Sequence, residues 1–433
     1  MNILKTIVVY FLTLEARAVL YVRRPKIVAV TGSVGKTSTK DALASVLAIQ
    51  YRVGKSRKSM NGDVGVPLTI LNLNNAWRNP FLWFWNLVIG FLKIFPIGTY
   101  PEWLVLEVGA DQPGDLQKLF SWLFPDVVVA TRFPAISVHV ANYESPGHVI
   151  EEETIPIRFL RPEGLLIVNG DDEVARNLAK DFPGKTISYG FAPGHDVVGD
   201  KTEIVYESEK KVPTGMALEI SVSDQSVKFQ VSGVLGIQAL YPALASVALG
   251  RHLGISLSDM STAFTFHHSP PGRMRILPGI KETTLIDDSY NSSPVAVEEA
   301  LKTLLRLKEE TSRRVIAALG DMRELGRFSD EEHRKAGLMV GKVADVLITV
   351  GIESRNIADG ALSAHMDENR IYQFDDSREA GKFLESVMQA GDIILIKGSE
   401  ATIRMERAVK EVMAEPDRAE ELLVRQESAW QKR

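Results

Sequence analysis

The residues best suited to chemistry stand in one run near the N-terminus, Thr31-Gly-Ser-Val-Gly-Lys-Thr37. An apolar, β-branched segment (27–30) precedes it, and a helix-like pattern (41–49) follows. Glycines here let backbone N–H groups approach phosphate oxygens, while the lysine reaches the outer phosphates and the threonine hydroxyl can ligate Mg²⁺. The longer Walker form would have glycine where this chain has Val30, so the match is to the shorter P-loop variant. We predict nucleoside triphosphate binding in preference to a tight turn without a ligand. The residues assigned to this site are Gly32, Ser33, Gly35, Lys36, Thr37 and Ser38.

Further polar residues follow predicted buried strands. Glu107 ends one strand, and His139 follows another. Later in the chain, polar runs at 287–294, 320–326 and 397–399 also stand at strand ends. The carboxyl ends of parallel strands meet at one edge of a sheet, where α/β proteins bind ligands. Glu107 is therefore a candidate Mg²⁺ ligand and His139 a second metal ligand, with a solvated strand end and a structural histidine as the alternatives.

The order of the elements predicts an α/β protein with two domains. Over 26–268, buried strand-like runs alternate with helices, which predicts a P-loop ATPase domain with a mostly parallel sheet. Short alternating runs in 196–234 predict an antiparallel patch appended to that sheet. After a linker at 268–273, the pattern restarts and predicts a Rossmann-like C-terminal domain over 269–415, with a ligand crevice between the domains. The remaining segments are an N-terminal helix (1–25), an apolar insertion (78–98) and a charged tail (416–433) expected to form a solvated helix.

Composition limits the classes of function. The net charge of −5 over 433 residues, without a basic run, argues against a nucleic-acid partner. The absence of cysteine excludes disulfides, thiolate zinc sites and a cysteine nucleophile, and it fits the cytoplasm. Glu15 and Arg17 interrupt the apolar N-terminal run, which is too short to span a bilayer and is expected to be a docking helix.

The apolar insertion has a core, Phe81–Phe95, that is almost free of polar residues. As a helix it would be roughly 22 Å long, which is short of a full membrane span. We expect it to pack against residues 1–22. Docking at the inner face of the membrane and self-association are the alternatives.

Taken together, these motifs resemble the Mur ligases of peptidoglycan synthesis, and most closely the type that adds D-alanyl-D-alanine. The resemblance covers about residues 26–410, in the family's order. Two motifs are specific to that type, Asp-Asp-x-Tyr-Asn-x-x-Pro at 287–294 and Gly-Asp-Met-x-Glu-Leu-Gly at 320–326. The Asp-Asn-Pro-Arg motif of the diaminopimelate- or lysine-adding ligase does not occur in the sequence. The other motifs that carry the resemblance are 31–37, Gly65-Val-Pro67, 106–111, Pro271-Gly-Arg273 and Lys397-Gly-Ser399.

The resemblance implies an amide-bond ligase that uses ATP and Mg²⁺. ATP would phosphorylate a carboxylate of a nucleotide-sugar peptide, and the amine of an amino acid or dipeptide would attack the acyl phosphate. By resemblance Lys36 contacts the β- and γ-phosphates, Thr37 and Glu107 hold one Mg²⁺, and His139 holds a second. The resemblance also assigns Asn291 and its neighbour Tyr290 to the adenine, Arg273 to the phosphates or hinge, Asp288 to the ribose or hinge, and Asn61, Asp321, Glu324, Lys397 and Ser399 to the substrates.

The sequence departs from the family in three places. The phosphate loop begins at residue 31, without the family's N-terminal uridine-binding domain before it. The family's carbamoylated lysine aligns with Glu151-Glu-Glu153, where Glu153 is the best-aligned substitute and fourth catalytic candidate, with a solvated acidic run as the alternative. Gly236–Pro242 replaces the family's Gly-x-His-Asn-x-x-Asn motif, which puts the hinge contacts in doubt.

Two rival functions follow from these departures. One is a ligase that acts on another carboxylate, such as a lipid-linked muropeptide or a poly-amino acid. The other is a non-catalytic nucleotide-binding subunit. The intact set of Lys36, Thr37, Glu107 and His139 counts against a non-catalytic protein.

Overall fold

The computed structural model describes residues 3–57, 60–77, 79–207, 211–399, 402–427 and 430. In this part of the chain, helices cover two β-sheets, one in the N-terminal part and one in the C-terminal part. The strands of the first sheet are β1 (Lys26–Thr31), β2 (Val53–Lys55), β3 (Trp103–Glu107), β4 (Val127–Ala130), β5 (Leu165–Asn169), β6 (Lys185–Gly190), β7 (Val197–Tyr206), β8 (Pro213–Val222) and β9 (Gln225–Ser232). The helices around it are α1 (Ile3–Arg23), α2 (Lys36–Leu47), α3 (Gly65–Ile70), α4 (Pro80–Ile94), α5 (Asp115–Phe120), α6 (Pro146–Arg158), α7 (Glu173–Asp181), α8 (Tyr241–His252) and α9 (Leu257–Phe264).

The first sheet has the strand order β2-β3-β1-β4-β5-β6-β7-β8-β9. Its strands pair in parallel from β2 to β7, and β7, β8 and β9 pair antiparallel. Every residue of the central strands β3, β4 and β5 is buried, because helices cover both faces of the sheet. The predictions of a mostly parallel sheet and of an antiparallel patch are confirmed.

The strands of the second sheet are β10 (Arg275–Pro278), β11 (Thr284–Asp288), β12 (Val315–Gly320), β13 (Val346–Val350), β14 (Ile371–Phe374) and β15 (Ile393–Lys397). Their order is β10-β11-β15-β12-β13-β14, and only β10 runs antiparallel to its neighbour. The four central strands carry the α/β pattern that the sequence predicted after the linker. The two edge strands, which the sequence did not indicate, are short and incompletely buried. The accompanying helices are α10 (Pro294–Thr311), α11 (Ser329–Val343), α12 (Arg355–Ser363), α13 (Ser377–Val387), α14 (Glu406–Val412) and α15 (Ala419–Leu422).

The N-terminal helix and the apolar insertion pack against each other, as the sequence predicted. The Arg23 guanidinium fixes the end of α4 by donating to the carbonyls of Phe95 (2.7 Å) and Ile97 (2.9 Å). The contact between the two helices, called the seam below, is narrow, because Gly90 is the one buried residue of α4. None of the described helices is both long and apolar enough to cross a bilayer.

Glu15 lies inside this seam. One of its carboxylate oxygens, Oε2, faces Gly90 and accepts no hydrogen bond in the described structure. Burial raises the pKa of Glu15 from 4.5 to about 7. A carboxyl whose pKa is higher in the folded state gives stability that is present below pH 4.5 and is lost as the pH rises through about 7.

We therefore expect Glu15→Gln to raise the Tm at pH 8 by several degrees and to change it little at pH 5. Thermal unfolding at the two pH values measures this, with Glu163→Gln on an exposed loop as the control. An equal shift at both pH values would contradict a buried, ionising carboxylate.

The charged tail is not the solvated helix that the sequence predicted. After a 3₁₀ turn (Pro416–Arg418) and the single-turn helix α15, the chain runs back over the second sheet, where Leu422 and Leu423 are buried. Arg425 is also buried, and its charge has partners there. Glu406 lies 3.3 Å from its guanidinium, and the Ser289 carbonyl accepts from it at 3.2 Å. The charged composition predicted a solvated tail because it does not show that these charges have partners. Tail residues 428, 429 and 431–433, like residues 1 and 2 of the predicted N-terminal helix, lie outside the described part.

Candidate active site

The phosphate loop connects the end of β1 to the start of α2 at Lys36. Gly32 and Gly35 have φ angles of +118° and +87°, a region that favours glycine. This turn directs the first backbone N–H groups of α2 toward the loop, where the helix dipole also favours an anion. The strand–loop–helix arrangement is the one that the sequence predicts.

Lys36 and Glu153 lie together at the loop. The Lys36 ammonium donates to the Gly32 carbonyl and lies 3.7 Å from Glu153 Oε1. The Ser33 hydroxyl donates to the other carboxylate oxygen of Glu153. Burial raises the pKa of Glu153, and the nearby charge of Lys36 and the Ser33 hydrogen bond oppose this rise. The cluster therefore places a buried carboxylate beside the lysine predicted to contact phosphate.

The acidic run containing Glu153 is not a solvated surface. Glu152 is buried and accepts hydrogen bonds from the backbone N–H groups of Gly114 (2.9 Å) and Leu116 (2.8 Å) at the start of α5. Glu153 is buried against the phosphate loop, and Glu151 alone is exposed. The three adjacent glutamates therefore have three different environments.

Thr37, the second residue of α2, and Glu107, the last residue of β3, form a second group next to Lys36. The Thr37 hydroxyl donates to Glu107 Oε1 at 3.1 Å. Glu107 Oε2 is buried without a hydrogen bond in the described structure, and the Lys40 ammonium is 3.8 Å from it. A hydroxyl and a carboxylate oxygen side by side next to a phosphate loop suit Mg²⁺, which prefers oxygen ligands and few protein carboxylates. The described side chains thus fit the cation that the sequence predicted.

Lys40 also belongs to this group, although the sequence did not single it out. It lies four residues after Lys36, so it shares a face of α2 with Lys36. Burial lowers the pKa of Lys40, while Asp41 and Glu107 act in the opposite direction. The four-residue spacing between the two lysines was the signal that could have identified it.

His139 contacts the second domain. Its Nδ1 is hydrogen-bonded to the Glu324 carboxylate, and its Nε2 lies 3.7 Å from Asp111 Oδ1. Burial lowers the pKa of His139, but Glu324 and Asp111 outweigh it and the net pKa is raised. Glu324, which was predicted to contact the substrate, thus contacts His139, the predicted metal ligand.

The predicted metal ligands do not form one cluster. Over the residues that the structure describes, no three His, Asp or Glu side chains gather as a metal-binding group. Glu153 pairs with Lys36, and His139 with Glu324, whereas Thr37 and Glu107 contact each other. The second cation at His139 and Glu153 stays a prediction.

Arg273 brings the second domain to the phosphate loop. Its Nη2 lies 3.3 Å from the Thr37 hydroxyl oxygen, and its guanidinium stacks 4.0 Å from the centre of the Tyr290 ring. Arg425 lies 5.1 Å from the same ring, so the tail supports this contact. Tyr290 thus stacks against Arg273, and its contact with the adenine stays a prediction.

Asp288 and Lys397 form a buried ion pair at the ends of adjacent strands β11 and β15. The Lys397 ammonium lies 2.6 Å from Asp288 Oδ2 and donates to the Asn291 carbonyl at 3.0 Å. Asp288 Oδ1 accepts from the Met274 N–H at 3.1 Å. This network fixes the loop that follows β11 to the hinge beside Arg273.

Lys397→Met should destabilise the fold by about 3 kcal/mol, because it leaves the buried Asp288 carboxylate without its counter-charge. The double variant Lys397→Met/Asp288→Asn should recover at least half of that loss. Urea unfolding of both variants gives the coupling free energy. A double variant no more stable than the single one would contradict the pairing.

A cleft lies between the two sheets and joins these groups. On the first-domain side it includes the phosphate loop and Gly236–Ala239, the segment that departs from the family motif. The other predicted residues that line it are Ser33, Gly35, Ser38, Arg273, Asp288, Asn291 and Lys397.

Three more predicted substrate residues, Asn61, Asp321 and Ser399, lie in loops. Asn61 and the Lys36 side chain both lie against Gly109 after β3. Asp321 Oδ1 accepts from the Ser354 N–H, and Ser399 Oγ accepts from the Arg323 N–H, both at 2.8 Å. Burial raises the pKa of Asp321. Asn61 thus adjoins the phosphate loop, whereas the hydrogen bonds of Asp321 and Ser399 connect loops of the second sheet.

The chain is similar to known proteins in sequence and in structure. Residues 30–250 match the Mur ligase middle domain, and residues 272–400 match the Mur ligase, glutamate ligase domain. The UDP-N-acetylmuramoyl-tripeptide–D-alanyl-D-alanine ligase of Bacillus subtilis (strain 168) is 26% identical over 410 residues, which cover 93% of this chain and 79% of that protein.

Two solved structures are also similar. The MurF ligase from Thermotoga maritima in complex with ADP has a TM-score of 0.72 and 25% identity, covering 93% of this chain and 83% of that one. MurF from Acinetobacter baumannii has a TM-score of 0.73 and 23% identity, covering 92% and 79%.

Proposed function

This chain belongs to the Mur ligase family, and we propose that it is the ATP-dependent ligase that adds D-alanyl-D-alanine to a UDP-N-acetylmuramoyl-tripeptide. The observation that carries the proposal is the approach of Arg273 to Thr37 at 3.3 Å, which brings a charged side chain of the second domain to the proposed nucleotide site. A ligase must hold ATP, an acid and an amine together, and a cleft between two domains provides that arrangement. The names of the relatives in Bacillus subtilis and Thermotoga maritima support the choice of reaction.

The reaction proceeds in two steps. A carboxylate oxygen of the acceptor attacks the γ-phosphorus of ATP, the bond to the β–γ bridging oxygen breaks, and ADP and an acyl phosphate result. The amine nitrogen then attacks the acyl carbon, and the tetrahedral intermediate expels phosphate as the amine loses its proton. The phosphate keeps the oxygen that came from the carboxylate.

The side chains of the site act by position and charge. Lys36 faces the transferring phosphoryl group, and Glu153 and the Gly32 carbonyl hold its ammonium in place. Thr37 and Glu107 would hold Mg²⁺, which neutralises charge on the phosphate oxygens when it is bound. Arg273 adds a second positive charge from the opposite domain. Because the reaction consumes ATP, we propose that it takes place in the cytoplasm.

The proposal is tested with a tripeptide acceptor labelled with ¹⁸O in its free carboxylate. We expect one ¹⁸O atom in each phosphate released, together with an acceptor heavier by one D-alanyl-D-alanine less water. Phosphate without the label would contradict the acyl-phosphate route. Labelled phosphate only with a lipid-linked muropeptide would move the assignment to the alternative acceptor.

A further inference from the structure

The outer face of α1 and α4 exposes an unusual amount of apolar surface. Of the 22 large apolar side chains that are exposed among the described residues, 16 lie in residues 3–24 and 77–97. Those on α4 include Phe81, Phe84 and Trp85, which are 79%, 62% and 57% exposed. A patch of this kind on a folded protein marks an interaction surface.

The patch follows from the helical period. The inner stripe of α1, Leu12, Ala16 and Val19, is fully buried. The opposite stripe is also apolar, with residues spaced three and four apart, and it faces solvent. Its exposed members are Ile7, Tyr10, Phe11, Leu14 and Tyr21. Packing α1 against α4 therefore uses one face of each helix and leaves the other without a partner.

Charge distinguishes this surface from the rest of the chain. Residues 1–26 and 77–100 contain seven lysines and arginines and a single acidic residue, Glu15. Their net charge of +6 leaves −11 for the remainder. Glu15 lies in the seam, where its carboxyl faces Gly90.

A basic groove adjoins the apolar patch. Arg17, Arg24 and Lys26 line it together with the rings of Tyr21 and Trp122. Among the described residues Lys26 is 3.0 Å from Asp126, whereas Arg17 and Arg24 have no carboxylate within 4.0 Å. Guanidinium groups beside aromatic rings suit phosphate head groups at a membrane interface.

We propose that α1 and α4 form a membrane-docking surface that lies in the interface of a bilayer containing anionic phospholipids. Apolar insertion combined with basic residues provides the two signals that stable surface binding requires. A second copy of this chain is a poorer occupant, because it would bring together two pairs of segments that each carry a net sequence charge of +6. The proposal is independent of the ligase reaction.

Flotation of the full chain with vesicles tests the proposal. We expect binding to vesicles of phosphatidylethanolamine with phosphatidylglycerol, and much weaker binding to phosphatidylcholine alone. The variant Phe81→Ser/Phe84→Ser/Trp85→Ser should bind at least about tenfold more weakly. Arg17→Ser and Arg24→Ser should each weaken binding to the anionic vesicles about fivefold, and raised salt should have the same effect.

Phe266→Ser is the matched control, since Phe266 is 78% exposed but lies away from α1 and α4. It should bind vesicles like the unmodified chain. No binding to anionic vesicles overturns the proposal. A dimer that persists with vesicles present, and that the triple variant abolishes, also overturns it in favour of self-association.

Discussion

Lys36→Ala is expected to lower ATP turnover by about a hundred- to a thousandfold while the protein stays folded. In the proposed reaction the lysine ammonium faces the transferring phosphoryl group, so its loss should raise the barrier of the chemical step. The Tm should fall by a few degrees at most, because the buried Glu153 loses the charge of Lys36 but keeps its hydrogen bond from Ser33. Steady-state phosphate release and thermal unfolding of the same preparation measure the two effects.

Lys118→Ala is the matched control, since Lys118 is exposed on α5 and away from the cleft. It should leave turnover unchanged. Turnover in Lys36→Ala equal to that of the unmodified chain would remove the phosphate loop from the catalytic site.

Glu153→Gln is expected to lower kcat by about ten- to a hundredfold with a smaller change in the KM for ATP. The substitution removes the charge that faces Lys36 at nearly constant volume, and the loss should appear mainly in the transition state. If Glu153 takes the place of the carbamoylated lysine, as we predict, activity should not depend on added bicarbonate.

Glu151→Gln provides the control from the same helix. Glu151 is exposed, so its charge is screened by solvent and its removal should be silent. A silent Glu153→Gln together with a damaging Glu151→Gln would show that the alignment of the acidic run is shifted by two residues. Stimulation by bicarbonate would indicate a modified lysine elsewhere.

Local patterns made much of the fold predictable. The phosphate loop, the central strands and the antiparallel patch each depend on neighbours in the chain, and periodicity reports those directly. The edge strand β14 was missed because it is short and half-buried, so it has no strong apolar run. The same reasoning could have identified Lys40, because it lies four residues after Lys36.

Contacts between distant segments were harder to predict. His139 and Glu324 are 185 residues apart, and nothing local to either indicates that they meet. Arg425 and the Ser289 carbonyl are separated by 136 residues. The sequence around Arg425 therefore could not indicate this contact, and the tail was predicted to be solvated. In α1 the apolar residues surround the helix, so periodicity alone could not tell the inner stripe from the exposed one.

The most direct measurement of the central claim is phosphate release from ATP with a UDP-N-acetylmuramoyl-tripeptide, with and without D-alanyl-D-alanine. The proposed ligase predicts slow release without the dipeptide and fast release with it, in a one-to-one ratio to the new amide product. Phosphate release that does not depend on either substrate, or fast release without amide product, would contradict the proposed ligase reaction.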